Sequence, residues 1–239
     1  METAPQPPNS ESIKYYLKFD NGITQEFTIH LEKKTFHIIE TPRDVYPEWT
    51  KLTCHQCPHC PLKAKEHEFC PIAKNLVSVI EFLCNLLSYE EVDIRIETKN
   101  RNYSKRTPLQ VAAGSLIGIY MVTSGCPIMD KLRPMVQTHL PFANNKETEY
   151  RAISMYLIAQ YLLFKNKKKP DWDLKNFTRM YKDINIVNAN FCQRLKEIHV
   201  EDASLNAIIR LDNFAQYINL AVSEQMLDDL KCLFQAYLV

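Results

Sequence analysis

The sequence predicts an α+β protein: a small N-terminal antiparallel β-meander, a Cys-rich metal knuckle and a mainly helical remainder. Three observations carry this reading. Alternating, β-prone segments gather before residue 40 and return at 92–96. Apolar residues at helical spacing dominate from residue 72 onward. Between them runs a cluster of cysteines, most of them followed by proline. A chain of 239 residues has room for one large domain or two small ones. The expected division is a disordered tail over 1–12 and a single α+β domain over 13–239. Within that domain, 13–50 is the meander and connector, 51–71 the Cys-rich metal segment and 72–239 the helical part.

The elements follow in order. Ile13 to Phe19 is the first strand, and Asp20-Asn21-Gly22 is a hairpin turn because Asn and Gly tolerate positive φ. Ile23 to Leu31 is the second strand, and Thr35 to Ile39 is expected to add a third. Ile72, Leu76, Val79, Ile80, Leu83 and Leu87 form one stripe, predicting a helix over 72–88. Val92, Ile94 and Ile96 alternate with charged residues and predict a further strand, turning near 99–102 into Tyr103. Thr107-Pro108 opens a helix with an uncharged, apolar heart over 109–122, too short for a membrane span of ~20 residues. Gly114 and Gly118 lie four apart on it and allow close helix contact. Gly125 ends that helix, Cys126-Pro127 opens a short one, and Pro134 and Pro141 break it. A helix over 147–164 is apolar nearly all round and is expected to be central. One or two helices over 171–200 follow, then amphipathic helices over 204–223 and 225–238. On the last, Leu227, Leu230, Phe234 and Leu238 suit internal packing or a dimer.

Composition removes several function classes. Only 4 Gly are present, where average usage of about 7% would give roughly 17. No phosphate loop, dinucleotide-binding turn, nucleophile elbow or zinc-protease helix motif occurs. Basic and acidic residues balance at 29 to 28, so no global field draws nucleic acid or an anionic membrane. The first twelve residues lack the basic and apolar regions of a signal peptide, which predicts a cytoplasmic protein with reduced thiols.

The chemistry lies in the cysteines. Cys54, Cys57, Cys60 and Cys70 are spaced C-x2-C-x2-C-x9-C, and Cys126 stands farther on. Four of the eight Cys (Cys57, Cys60, Cys70 and Cys126) precede proline, although average Pro usage is about 5%. Proline fixes φ and stiffens the turn that aims two sulfurs at one ion. Tetrahedral zinc needs four ligands, and the proline pattern selects four. Cys54, His55, His59 and His139 are alternates, and His67 also competes. The cofactor expected is Zn²⁺, with a [4Fe–4S] cluster as the alternative because C-x2-C-x2-C also serves iron–sulfur ligation. Cys84, Cys192 and Cys232 fit helices as small apolar side chains.

Other charged groups have plainer readings. Arg95, Lys99, Arg101, Lys105 and Arg106 suit a solvated hairpin face more than a nucleic-acid patch, and Lys165 with Lys167–Lys169 suits a helix end. Arg133, His139, Tyr150 and Arg151 flank Pro141. They read either as ion pairs with Asp130, Glu147 or Glu149, or as a polar pocket with an acid–base His and an anion-binding Arg. Asp171 and Asp173 suit a helix N-terminus.

The segments His55-Gln56-Cys57-Pro58-His59-Cys60-Pro61-Leu62 with Cys70-Pro71, Ser124-Gly125-Cys126-Pro127, His139-Leu140-Pro141-Phe142 and Tyr150-Arg151-Ala152 with Ser154-Met155-Tyr156 resemble an uncharacterised bacterial protein family of unknown function. The resemblance spans most of the chain, from the meander to the basic loop, and implies a bacterial cytosolic source without indicating a mechanism. The function expected from the residues is a cytosolic protein with a structural four-cysteine zinc site and a regulatory or protein-interaction role. The alternatives are an iron–sulfur or thiol redox sensor or enzyme, and a metal-dependent enzyme with an open zinc position. An unidentified protein and a second copy of the chain are the candidate partners. Nucleic acid and membrane are not expected.

Overall fold

Two hairpins build the sheet. Gly22 closes the first at φ +84°, a conformation glycine adopts at no steric cost. It joins β1 (Ser10–Phe19) to β2 (Thr24–Glu32), and a second turn joins β3 (Glu91–Glu97) to β4 (Asn102–Pro108). All pairings are antiparallel, in the order β2-β1-β3-β4. The structure, a computed structural model, describes residues 9–198, 201–221 and 231–238. With five long helices after the first hairpin, the chain is α+β.

Two expectations about the sheet change. Residues 10–12, expected in the tail, begin β1, and residues 1–8 lie outside the described set. The third meander strand at 35–39 does not form; only a bridge from Leu31 to Ile38 remains. Phe36 at φ +58° interrupts the extended backbone there. The other two strands come from 91–108, so the sheet closes over a long chain separation. Its alternation gives one apolar face, with Tyr15, Leu17, Ile29, Ile94 and Ile96 buried.

Helices cover that face. They are α1 (Pro71–Leu83), α2 (Leu109–Thr123), α3 (Asn145–Lys165), α4 (Lys175–Lys196) and α5 (Asp202–Ala221). The apolar α2 is the central helix, packed among the sheet, α1 and α5. A Cβ at Gly114 would stand 3.5 Å from the Ala207 carbonyl oxygen, and one at Gly118 would stand 3.4 Å from Leu211. The two glycines therefore let α2 and α5 approach closely, as their spacing predicts.

The helix expected at the centre, α3, is peripheral. Leu157, Ile158, Tyr161, Leu162 and Phe164 are exposed on it. The apolar count of α3 rivals that of α2, but α3 carries Lys146, Glu147, Glu149, Arg151 and Lys165 and α2 carries no charge. Lys146, Glu147 and Lys165 stay exposed, and desolvating them would cost more than the apolar side chains of α3 return. An Asn144–Glu147 capping box starts α3. The C-terminal helix expected over 225–238 falls partly on 222–230, outside the described residues, as do Leu227 and Leu230. Phe234 and Leu238 are exposed. Among the described residues no helix is long and apolar enough to cross a membrane.

Candidate functional site

The cysteine segment is pinned at its base. Leu52 N donates to Glu68 O and Cys70 N to Thr50 O, both at 2.8 Å, so residues 50–52 and 68–70 run side by side. Buried Arg194 of α4 donates to the carbonyls of Trp49 and Lys51, each at 2.6 Å. Within the loop, Cys60 N donates to Cys57 O at 2.9 Å, which closes the Cys-Pro-His-Cys turn. Cys70 caps α1 with Pro71 at the first helical position. Cys126 follows Gly125, which ends α2 at φ +84°, and stands just before the 3₁₀ segment Met129–Thr138.

Three separate stretches of chain thus carry Cys57 with Cys60, Cys70, and Cys126, and their thiols lie within electrostatic reach of one another. Burial pushes the Cys57 thiol up to about 12; nearby Cys70, Cys126 and Cys60 add to the rise, and Arg194 opposes it. Burial pushes Cys126 up to about 11, Cys70 and Cys60 add to that, and backbone amides of Ile128 and Met129 directed at its sulfur oppose it. Amides aimed at a sulfur stabilise its anionic form. All eight cysteines are free thiols. Among the described residues, no group of three or more His, Cys, Asp or Glu side chains is gathered tightly enough to hold a metal ion as it stands.

The alternates lie in different settings. Cys54 packs partly buried against the core. His55, at φ +43°, turns its ring to Glu197 at 2.8 Å. His59 donates Nε2–H to the Asp183 carbonyl at 3.0 Å, leaving a buried Nδ1 with no partner. His67 is exposed. Cys84 donates its thiol to the Glu81 carbonyl within α1's last turn, Cys192 is half-buried on α4, and Cys232 is exposed. Sequence reasoning missed Arg194, because nothing in an amphipathic pattern marks an arginine in a last helical turn as buried.

His139 stands at the far end of the 3₁₀ segment, beside the sheet. Its Nε2 and the Tyr15 hydroxyl share a hydrogen bond of 2.8 Å, and its carbonyl accepts from Tyr103 at 3.1 Å. Burial, then the charge of Arg151, pulls its imidazole down to about 3, so it is neutral at pH 7. Tyr15 also bonds Ser115 Oγ at 3.0 Å. Arg133 pairs with Asp130 at 2.6 Å, as the ion-pair reading expects. Arg151 differs: it donates Nη2–H to the Met135 carbonyl at 3.1 Å, its Nε is buried without a partner, and no carboxylate of the described residues lies within ion-pair distance.

The basic hairpin is largely neutralised by its own neighbours. Arg106 meets Asp20 at 2.8 Å and Asp93 at 3.6 Å, and Arg95 pairs with Glu97 at 2.8 Å over the Tyr16 ring. Lys99 reaches Glu11 at 3.6 Å. Asp171 accepts from the Tyr156 hydroxyl and from Asn176 N, both at 2.7 Å, at the start of α4.

Residues 13–235 match the family model described as Domain of unknown function (DUF6901). The chain belongs to this family. The match begins inside β1 and takes in the cysteine segment, the 3₁₀ segment and all five long helices. No curated protein and no solved structure matches the chain.

Proposed function

We propose that this DUF6901 chain is a bacterial, cytoplasmic metal-binding protein in which Cys57, Cys60, Cys70 and Cys126 hold one structural Zn²⁺, with a regulatory or protein-binding role. The approach of four thiols from three stretches of chain carries the reading. Four thiolates around Zn²⁺ leave a net charge of about −2. Arg194, buried nearby with no carboxylate among the described residues, supplies counter-charge. The Ile128 and Met129 amides favour a thiolate at Cys126. Zinc–sulfur bonds of about 2.3 Å set sulfurs roughly 3.7 Å apart, so binding draws the thiols inward. A reducing cytoplasm suits eight free cysteines.

One observation favours a second ligand set. His59 already donates one ring nitrogen to a carbonyl and leaves the other buried and unpartnered, as histidine metal ligands do. A site of three thiols and one imidazole, with His59 in place of one cysteine, is the competing arrangement.

Metal analysis of full-length protein purified without added metal, with a visible spectrum, tests both. One zinc per chain and no colour is the expected result. Loss of zinc in Cys126→Ser with retention in His59→Ala selects the four-thiol site, and the reverse selects the histidine. A broad visible absorption bleached by dithionite replaces zinc with an iron–sulfur cluster. Protein free of metal, with unchanged thermal stability in chelator, overturns the proposal.

A further inference from the structure

A cavity of about 350 Å³ lies on the other side of the 3₁₀ segment, among that segment, α2, α4 and α5. Its size falls in the range of small-ligand sites. Its walls are mostly apolar, and on α2 they include the bare backbone of Gly114 and Gly118. Among its lining residues are Lys105, Arg151 and Arg210, and no Asp or Glu.

Two side chains at this cavity carry a buried polar atom with no hydrogen-bond partner among the described residues. Arg151 Nε is buried and unpaired. Asn188, only 1% exposed, has no donor for Oδ1. Tyr181 also lines the cavity, and Arg151 stands close enough to act on its hydroxyl. Tyr181 and Asn188 are seven residues apart on α4, two turns along one face, and both line the cavity with Arg151. Buried polar groups are normally paired, so the unpaired Arg151 Nε at this cavity indicates a missing acceptor. An unpaired guanidinium calls for an anion. Of the three cations only Arg151 has a buried nitrogen without a partner, so a head group of one negative charge matches it, and a second charge would be desolvated against the apolar walls.

We infer that this cavity binds a small organic monocarboxylate with an apolar body, its carboxylate held by Arg151 and Tyr181 and its body lying along α2 and α5. The neutral His139, held by Tyr15, closes the wall without adding charge. This site is independent of the cysteines.

Titration calorimetry of the full chain with decanoate, below its micelle concentration, tests the inference. Saturable 1:1 binding is expected, at least tenfold tighter than decanol or decyltrimethylammonium. Arg151→Met weakens decanoate at least tenfold, and Tyr181→Phe several-fold with the melting temperature retained. Because Tyr181→Phe removes only a hydroxyl, it decides the question if Arg151→Met does not fold. Equal binding of decanoate and decanol, tighter binding of decyl phosphate, or undiminished binding in Tyr181→Phe overturns it.

Discussion

Arg194 and Arg151 both leave water without a carboxylate partner among the described residues, and they do so in opposite ways. Arg194 is almost fully buried and spends its donors on two carbonyls that fix the base of the cysteine loop. Arg151 keeps a single bond to the Met135 carbonyl and leaves Nε idle beside a cavity. The first arginine is structural before any ligand arrives. The second has been left with an unmet requirement, which a fold tolerates where something else completes it.

Metal removal should separate the two regions most strongly. Zinc binding in a closed thiolate site is folding free energy, so chelation should cost on the order of 5 kcal/mol, measured by denaturant unfolding of loaded and stripped protein. Equal unfolding midpoints would erase the distinction from the cysteine side. Acid should act next, through the cavity region. His139 has a folded value of about 3 against an ordinary 6.5. The unfolded chain therefore takes up a proton that the folded chain refuses. Stability is complete above pH 6.5 and is lost as pH falls from there toward 3, by about 4 kcal/mol at the bottom of that window. His139→Gln should flatten this slope.

The arginines themselves give the third and fourth tests. Arg194→Met strands the Trp49 carbonyl, leaves the Lys51 carbonyl only the Cys54 amide, and should destabilise the chain by about 2 kcal/mol. Arg151→Met replaces a poorly satisfied cation with an apolar chain of similar length and should change stability by less than about 1 kcal/mol in either direction. Similar losses in both variants would show that Arg151 is a structural residue like Arg194.

Local pattern made most of the fold legible. The first hairpin could be placed from Asn21-Gly22, and the contact of α2 with α5 from Gly114 and Gly118, because each needs a backbone or a distance that few residues permit. The proline rule selected Cys57, Cys60, Cys70 and Cys126 from local chemistry alone; among the described residues no three such side chains stand close enough to hold an ion. What local pattern did not show was rank. Apolar α2 and apolar α3 both looked central, and the competition for one seat is decided by charges three turns away. The roles of Arg194 and Tyr181 were equally hidden, since burial of a polar group is settled by the whole packing arrangement and leaves no periodicity.

The 3₁₀ segment between Cys126 and His139 has a consequence of its own. Cys126 stands just before it, and His139, directly after it, is tied to the sheet by Tyr15 and Tyr103. Met129, Leu132, Met135 and Val136 between them line the cavity. The stretch is a strut anchored at both ends, with its flank serving as a wall. On the zinc reading, the ion tensions one end of that strut, and the width of a chamber it never touches is set by how firmly the far anchor holds.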